Sequence, residues 1–193
     1  MDEKQFHALA ADIAKALGGA VTRRNDTGNP PFADFGTRDA LPLNVATVWN
    51  DASKLRISVV MPRKEDSACR YSVRDMYARN EVTPDTEIGV SAAKGAERIA
   101  ADIKRRLIPG ATDAHRRAVE RRNADNAYRA AKAATVARLC KALKCEARGE
   151  MVYAGACSFQ VSGPESIQID RLYVTPDTAL KIHALLKADK GGE

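Results

Sequence analysis

The chain has 193 residues, 45% of them hydrophobic and 29% charged, with a formal net charge of +6. That balance fits one ordinary folded domain or two small ones and excludes a disordered chain. No apolar run reaches the roughly 18 residues of a membrane span, and the start MDEKQFHALA carries acids and lacks a signal peptide's layout, so a cytoplasmic location is expected.

The first element is an amphipathic helix. In DEKQFHALAADIAKALGG, Phe6, Leu9, Ala10, Ile13 and Leu17 recur at helical spacing, and Gly18 and Gly19 supply the stop. The stretch RRNDTGNPPFADFGTRD that follows is polar and rich in turn formers. From 41 to 49 the chain alternates, with Leu41, Leu43, Val45, Thr47 and Trp49 on one side. After a turn at residues 50–53, Leu55, Ile57, Val59 and Met61 alternate again. This predicts a β-hairpin with one buried face, Trp49 included in the core.

Residues 62–87 show no sustained period and read as a long loop, with a short strand near Tyr71 and Val73 as an option. A strand over Glu87 to Val90 leads to Ser91, the N-cap of a helix that buries Ala96, Ile99, Ala100, Ile103 and Leu107 and ends at Pro109 and Gly110. A long alanine-rich helix is predicted over 112–145. Val136, Leu139, Cys140 and Leu143 line its later half; its earlier half offers Val119, Tyr128 and alanines without a coherent apolar stripe. A break near Asn123 to Asn126 is a further option. Strands over Met151 to Tyr153, Cys157 to Val161 and Ile167 to Val174 come next. A last helix, capped by Thr175 and opened by Pro176, presents Ile182, Leu185 and Leu186 before a frayed tail, ADKGGE.

The expected fold class is α+β: antiparallel sheets with packed helices in the order α-β-β-(β)-β-α, then a long helix and β-β-β-α. Two subdomains, 1–108 and 112–193, are expected. IAKALGG echoes LCKALKC, and IGVSAAKGAERI echoes LYVTPDTALKI. These matches raise a weak internal duplication, although strand-to-capped-helix units look alike for physical reasons alone.

No GxxxxGK[ST], GxSxG or HExxH motif occurs, and Cys69, Cys140, Cys145 and Cys157 show no zinc spacing. Cys140 and Cys145 are five apart, on different sides of a helix, and free thiols are expected. His7 and His183 lie near apolar helix faces and read as packed residues rather than bases. The chain is therefore expected to use no cofactor or metal and not to be an enzyme.

The charge is local. Residues 104–148 hold 13 Lys or Arg and 4 Asp or Glu, a net of +9, and the rest of the chain nets −3. Lys104, Arg105 and Arg106 close one predicted helix, where positive charge complements the dipole. Arg116, Arg117, Arg121 and Arg122 open the next, where it is unwelcome, and Arg129 follows; a helical hairpin would bring the two clusters together. These eight residues are candidates for contact with phosphate or an acidic protein surface, or simply for a solvated face. In the long loop, Tyr71 and Tyr77 interleave with Arg70, Arg74 and Arg79, a mixture that suits stacking or an interface and equally a loop folded back on the body.

ALAADIAKAL, RISVVMPR and IGVSAAKGAERIAADIKRRLIPG, within roughly residues 5–140, resemble a group of small proteins carried by phages, plasmids and integrated elements of Pseudomonas- and Burkholderia-like bacteria. The most telling piece is an Ile-Ala-x-Asp-Ile-x-Arg-Arg pattern, here Ile99 to Arg106. The group has no assigned active site, so no residue role transfers. The resemblance implies a counter-defence protein, anti-CRISPR-like, that binds a host defence ribonucleoprotein or another protein complex. The alternative is an accessory protein that binds DNA or RNA through the basic 104–148 region. No membrane partner is expected.

Overall fold

The computed structural model describes residues 1–25, 31–65, 69–155 and 157–182, except the side chains of 170 and 171. Its first helix, α1 (Glu3–Ala16), starts in a capping box: the Asp2 carboxylate accepts from the Gln5 amide at 2.8 Å, and the Gln5 side chain accepts from the Asp2 amide at 3.0 Å. It ends where Gly18 turns left-handed (φ +74°) and the Gly19 amide donates back to the Ala14 carbonyl at 2.9 Å. That six-to-one bond defines a Schellman cap. Phe6, Ala10, Ile13, Ala14 and Leu17 are buried as their spacing requires.

Five strands follow: β1 (Val21–Asn25), β2 (Phe32–Gly36), β3 (Pro42–Val48), β4 (Asp51–Val59) and β5 (Glu87–Ser91). They form one antiparallel sheet in chain order. Strand alternation sends Phe35, Leu43, Val45, Leu55, Ile57, Ile88 and Val90 to one face, where they join Phe6 and Ile13 of α1 in the core. The opposite face carries the polar phase of the same strands.

Three expectations need correction here. The stretch rich in turn formers contains β1 and β2, whose inward phase is carried only by Ala33 and Phe35. Trp49 is 62% exposed, because it sits in the hairpin turn beside Asn50, which adopts φ +67°. In the long loop, Val73–Met76 is a 3-10 turn rather than a strand, and Tyr71 is buried in the core.

The Ser91 hydroxyl accepts from the Ala93 amide at 3.3 Å, and a short 3-10 turn leads into α2 (Ala96–Asp102). Neither Pro109 nor Gly110 ends the helix. A π-turn (Ile103–Leu107), in which the Ile108 amide donates to the Ile103 carbonyl, carries α2 directly into α3 (Ile108–Leu143). Pro109 has no amide to donate, and its ring disfavours tight packing on the preceding turn, so a widened turn immediately before it relieves the conflict. Gly110 serves close packing: a Cβ there would lie 2.9 Å from Pro84 Cβ, where the 77–86 segment crosses the helix. The early part of α3 does have a buried stripe. Ala111, Ala114 and Ala118 are fully buried, with methyl groups in place of larger side chains. The helix is also unbroken through residues 123–126.

The chain divides into two compact units inside α3, Met1–Asn123 and Ala124–Glu193. In the second unit, β6 (Ala147–Arg148), β7 (Met151–Ala154), β8 (Cys157–Val161) and β9 (Ile167–Leu172) form an antiparallel sheet in that order. Val152 and Val161 are fully buried. Contacts to the later half of α3 include polar ones: Tyr128 Oη donates to the Ser162 carbonyl at 3.1 Å, Thr135 donates to the Pro164 carbonyl, and Lys132 pairs with Glu150 at 2.7 Å. Of the predicted apolar face on α3, Val136, Leu139 and Cys140 are half-buried and Leu143 is exposed. A last helix opens at residue 176, with the Thr178 amide donating to Thr175 Oγ1 at 3.4 Å. The predicted His183, Leu185, Leu186 and the ADKGGE tail lie outside the described residues.

Candidate nucleic-acid interface

The arginines that opened a predicted helix stand in the interior of a continuous one, so the helix-dipole argument for them falls. Carboxylates engage two of them. Arg116 pairs with Asp113 at 2.6 Å and Glu120 at 2.7 Å. Arg117 pairs with Glu81 at 2.8 Å and Asp113 at 3.0 Å, and its guanidinium lies 4.3 Å from the centre of the Tyr77 ring. The Tyr77 hydroxyl donates to Asp113 at 2.8 Å. This knot ties the long loop to α3 across 36 residues of sequence. Its electrostatics agree with the geometry. Hydrogen bonds, from Tyr77 first and then Arg116, hold the Asp113 carboxyl below its usual range, and Arg117 does the same for Glu81. Burial and then the bond to Asp113 push the Tyr77 phenol up. Tyr77 and Arg117 thus meet, in a packing role.

The other predicted residues scatter. Lys104 Nζ donates to the Ala16 carbonyl at 3.2 Å, and Arg105 pairs at 3.0 Å with Asp102, which also takes Lys94 at 2.7 Å. Arg106, Arg121 and Arg129 are exposed, while Arg122 is half-buried near His115, whose imidazole is lowered by burial and then by Arg122. Arg74 and Arg79 are exposed; Tyr71 is core.

Arg70 alone of the loop arginines reaches a second cluster, one that sequence patterns did not reveal. Arg23 from β1, Arg56 from β4 and Arg70 from the loop line a depression of about 480 Å³ on the open sheet face. Phe32, Asn44 and Ser58 share its lining. Each side chain has a local reason to be there. Asn44, Arg56 and Ser58 occupy the polar phase of strands whose other phase fills the core. Phe32 opens β2 opposite Asn25, and Arg23 Cζ lies 5.5 Å from the centre of its ring. Arg70 is fixed by donating to the Met61 carbonyl at 2.7 Å. Asp34 is the acidic member of the lining, and it accepts from the Asn44 amide at 2.6 Å. Three guanidiniums against Asp34 give the lining itself a net charge of +2, and Glu87 on β5 lies 3.8 Å from the Arg56 guanidinium. Amide, hydroxyl and guanidinium donors around a partly exposed ring can hold phosphate oxygens and stack a planar group. The polar phase of β3 and β4 is legible in the sequence; Arg23 and Phe32 are hidden among turn formers.

No known family, curated protein or solved structure matches this chain. Among the described residues, no cluster of His, Cys, Asp or Glu is arranged to hold a metal, and no helix is long and apolar enough to cross a membrane.

Proposed function

We propose that the protein acts by binding rather than by catalysis, and that its ligand is single-stranded nucleic acid held on the open face of the five-stranded sheet. The observation that carries this is the convergence of Arg23, Arg56 and Arg70 around Phe32. Guanidiniums would track the phosphates while the ring stacks a base, the combination that sequence-tolerant single-strand binders use. The resemblance to mobile-element proteins supports a setting in the bacterial cytoplasm. There the nucleic acid would belong to a host defence ribonucleoprotein, which the protein would inhibit in the anti-CRISPR manner by occupying it. The exposed triplet Lys104, Arg105 and Arg106 would add a sequence-independent electrostatic term.

The test is a titration of fluorescent single-stranded DNA and RNA across a salt series. Wild type should bind with a steep salt slope. Arg23→Gln, Arg56→Gln and Arg70→Gln combined should flatten the slope by about 2, at roughly 0.7 for each phosphate no longer neutralised. Phe32→Ala should weaken binding at every salt with the slope unchanged. The triplet changed to Gln should have the smaller effect. No binding by wild type at low salt, or a triple sheet-face variant that binds like wild type, removes the proposal.

A further inference from the structure

The two thiols at the end of α3 belong to no part of the nucleic-acid proposal. Cys140 is in the last turn of the helix, and Cys145 lies just beyond it. Spacing alone puts residues five apart on different sides of a helix, but the helix does not continue. Lys144 turns left-handed at φ +51°, and the Cys145 amide donates back to the Cys140 carbonyl at 3.1 Å. This is the Schellman cap that also closes α1. The echo between IAKALGG and LCKALKC is the echo of that motif: Gly18 and Lys144 both take the left-handed position, and Ala14 and Gly19 correspond to Cys140 and Cys145. Residues joined by this bond lie one above the other, where a hydrophobic contact usually accompanies the cap. With standard bond lengths, a backbone bond of this kind keeps the two Cα atoms within about 7 Å, and disulfides span roughly 4.4–6.8 Å. The Cys140 sulfur is near enough to help push the Cys145 thiol up. Both residues are free and half-buried, within reach of a small reagent.

We propose that Cys140 and Cys145 are a redox-active pair that a low-molecular-weight disulfide oxidises to an intrachain bridge, stapling the end of α3. The Cys140 thiolate attacks one sulfur of the reagent, forming a mixed disulfide and expelling one reduced thiol. Cys145 then gives its proton to solvent and attacks the Cys140 sulfur, expelling the second thiol. Two protein thiols are oxidised and the reagent disulfide is reduced to two thiols, so electrons and protons balance. The order follows from the site. Burial and then the Cys140 sulfur push the Cys145 thiol up, which favours Cys140 as the first nucleophile.

The test treats the full chain with oxidised glutathione at mildly alkaline pH, quenches with acid, and reads intact mass and peptide linkage. Wild type should lose two hydrogens, with a Cys140–Cys145 linkage that dithiothreitol reverses. Cys145→Ser should instead accumulate a glutathione adduct on Cys140, and Cys140→Ser should form an adduct on Cys145 more slowly. Hydrogen exchange at the Cys145 amide should slow in the bridged form. Separate stable adducts on both cysteines of wild type, linkage to Cys69 or Cys157, or faster reaction at Cys145 than at Cys140 would each overturn the proposal.

Discussion

Replacing Gly110 with alanine sets two effects of opposite sign against each other. In an exposed helix interior, alanine stabilises by about 1 kcal/mol relative to glycine. At this position the new Cβ would lie 2.9 Å from Pro84 Cβ and 3.4 Å from the Asp85 carbonyl oxygen. Carbon pairs rest at about 3.5–4.0 Å, so the loop must retreat by roughly 0.6–1 Å. The Pro84 ring is stiff and cannot swing aside, and overpacking of this kind costs about 1–3 kcal/mol. The balance favours destabilisation by about 1 kcal/mol, a shift of several tenths molar in a urea midpoint at a slope of about 2–3 kcal/mol per molar. Pro84→Gly removes the opposing carbon. In that background Gly110→Ala should turn stabilising, and the cycle of the two changes should show a coupling of about 1–3 kcal/mol. Urea unfolding of the four proteins, followed by circular dichroism, measures it. If Gly110→Ala stabilises the parent chain, or if the coupling is within error of zero, the close approach of loop and helix is wrong.

Two further outcomes are expected. Arg117→Gln breaks the tie to Glu81 and the stack on Tyr77, so trypsin should cut after the exposed Arg74 and Arg79 several-fold faster while Arg106→Gln leaves the cutting rate unchanged; equal rates in both would place the loop's anchor elsewhere. Hydrogen bonds from Ser53 and Lys54 lower the Asp51 carboxyl to about 2, so its contribution to stability is complete above its ordinary value of 3.8 and fades as pH falls through about 2; Asp51→Asn should therefore lose less melting temperature than wild type across that interval.

The parts of the fold legible in the sequence are those in which one period runs unopposed. The apolar spacing of α1 and the alternation of β3 and β4 each bury a row of large side chains, and those rows are the core. The strands β1 and β2 are illegible because so few of their residues point inward and turn formers flank them. The helix boundary expected at Pro109-Gly110 is absent, although each residue breaks helices in isolation. In the fold the first follows a π-turn and the second makes room for Pro84. With no boundary there, Arg116 and Arg117 lie in a helix interior, away from the positive end of any dipole. The knot of Arg117, Tyr77, Glu81 and Asp113 joins side chains 36 residues apart in places, a distance over which no local pattern speaks. The sheet-face depression is half visible, through Asn44, Arg56 and Ser58 on the outward phase.

The π-turn also sets how this helix tolerates changes of length. Ile99, Ile103, Leu107 and Ala111 are buried at steps of four residues. In a regular α-helix each such step drifts by about 40°, which over three steps would walk the row away from the core. The wider turn over Ile103–Leu107 absorbs the drift, in effect housing one surplus residue. A chain shortened by one residue at 104–106 could close to a plain α-helix with Ala111, Ala114 and Ala118 still facing inward. A chain lengthened by one there would have to rotate everything downstream by about 100°. Insertions and deletions at this point are therefore not equivalent, and related chains should differ here by loss more readily than by gain.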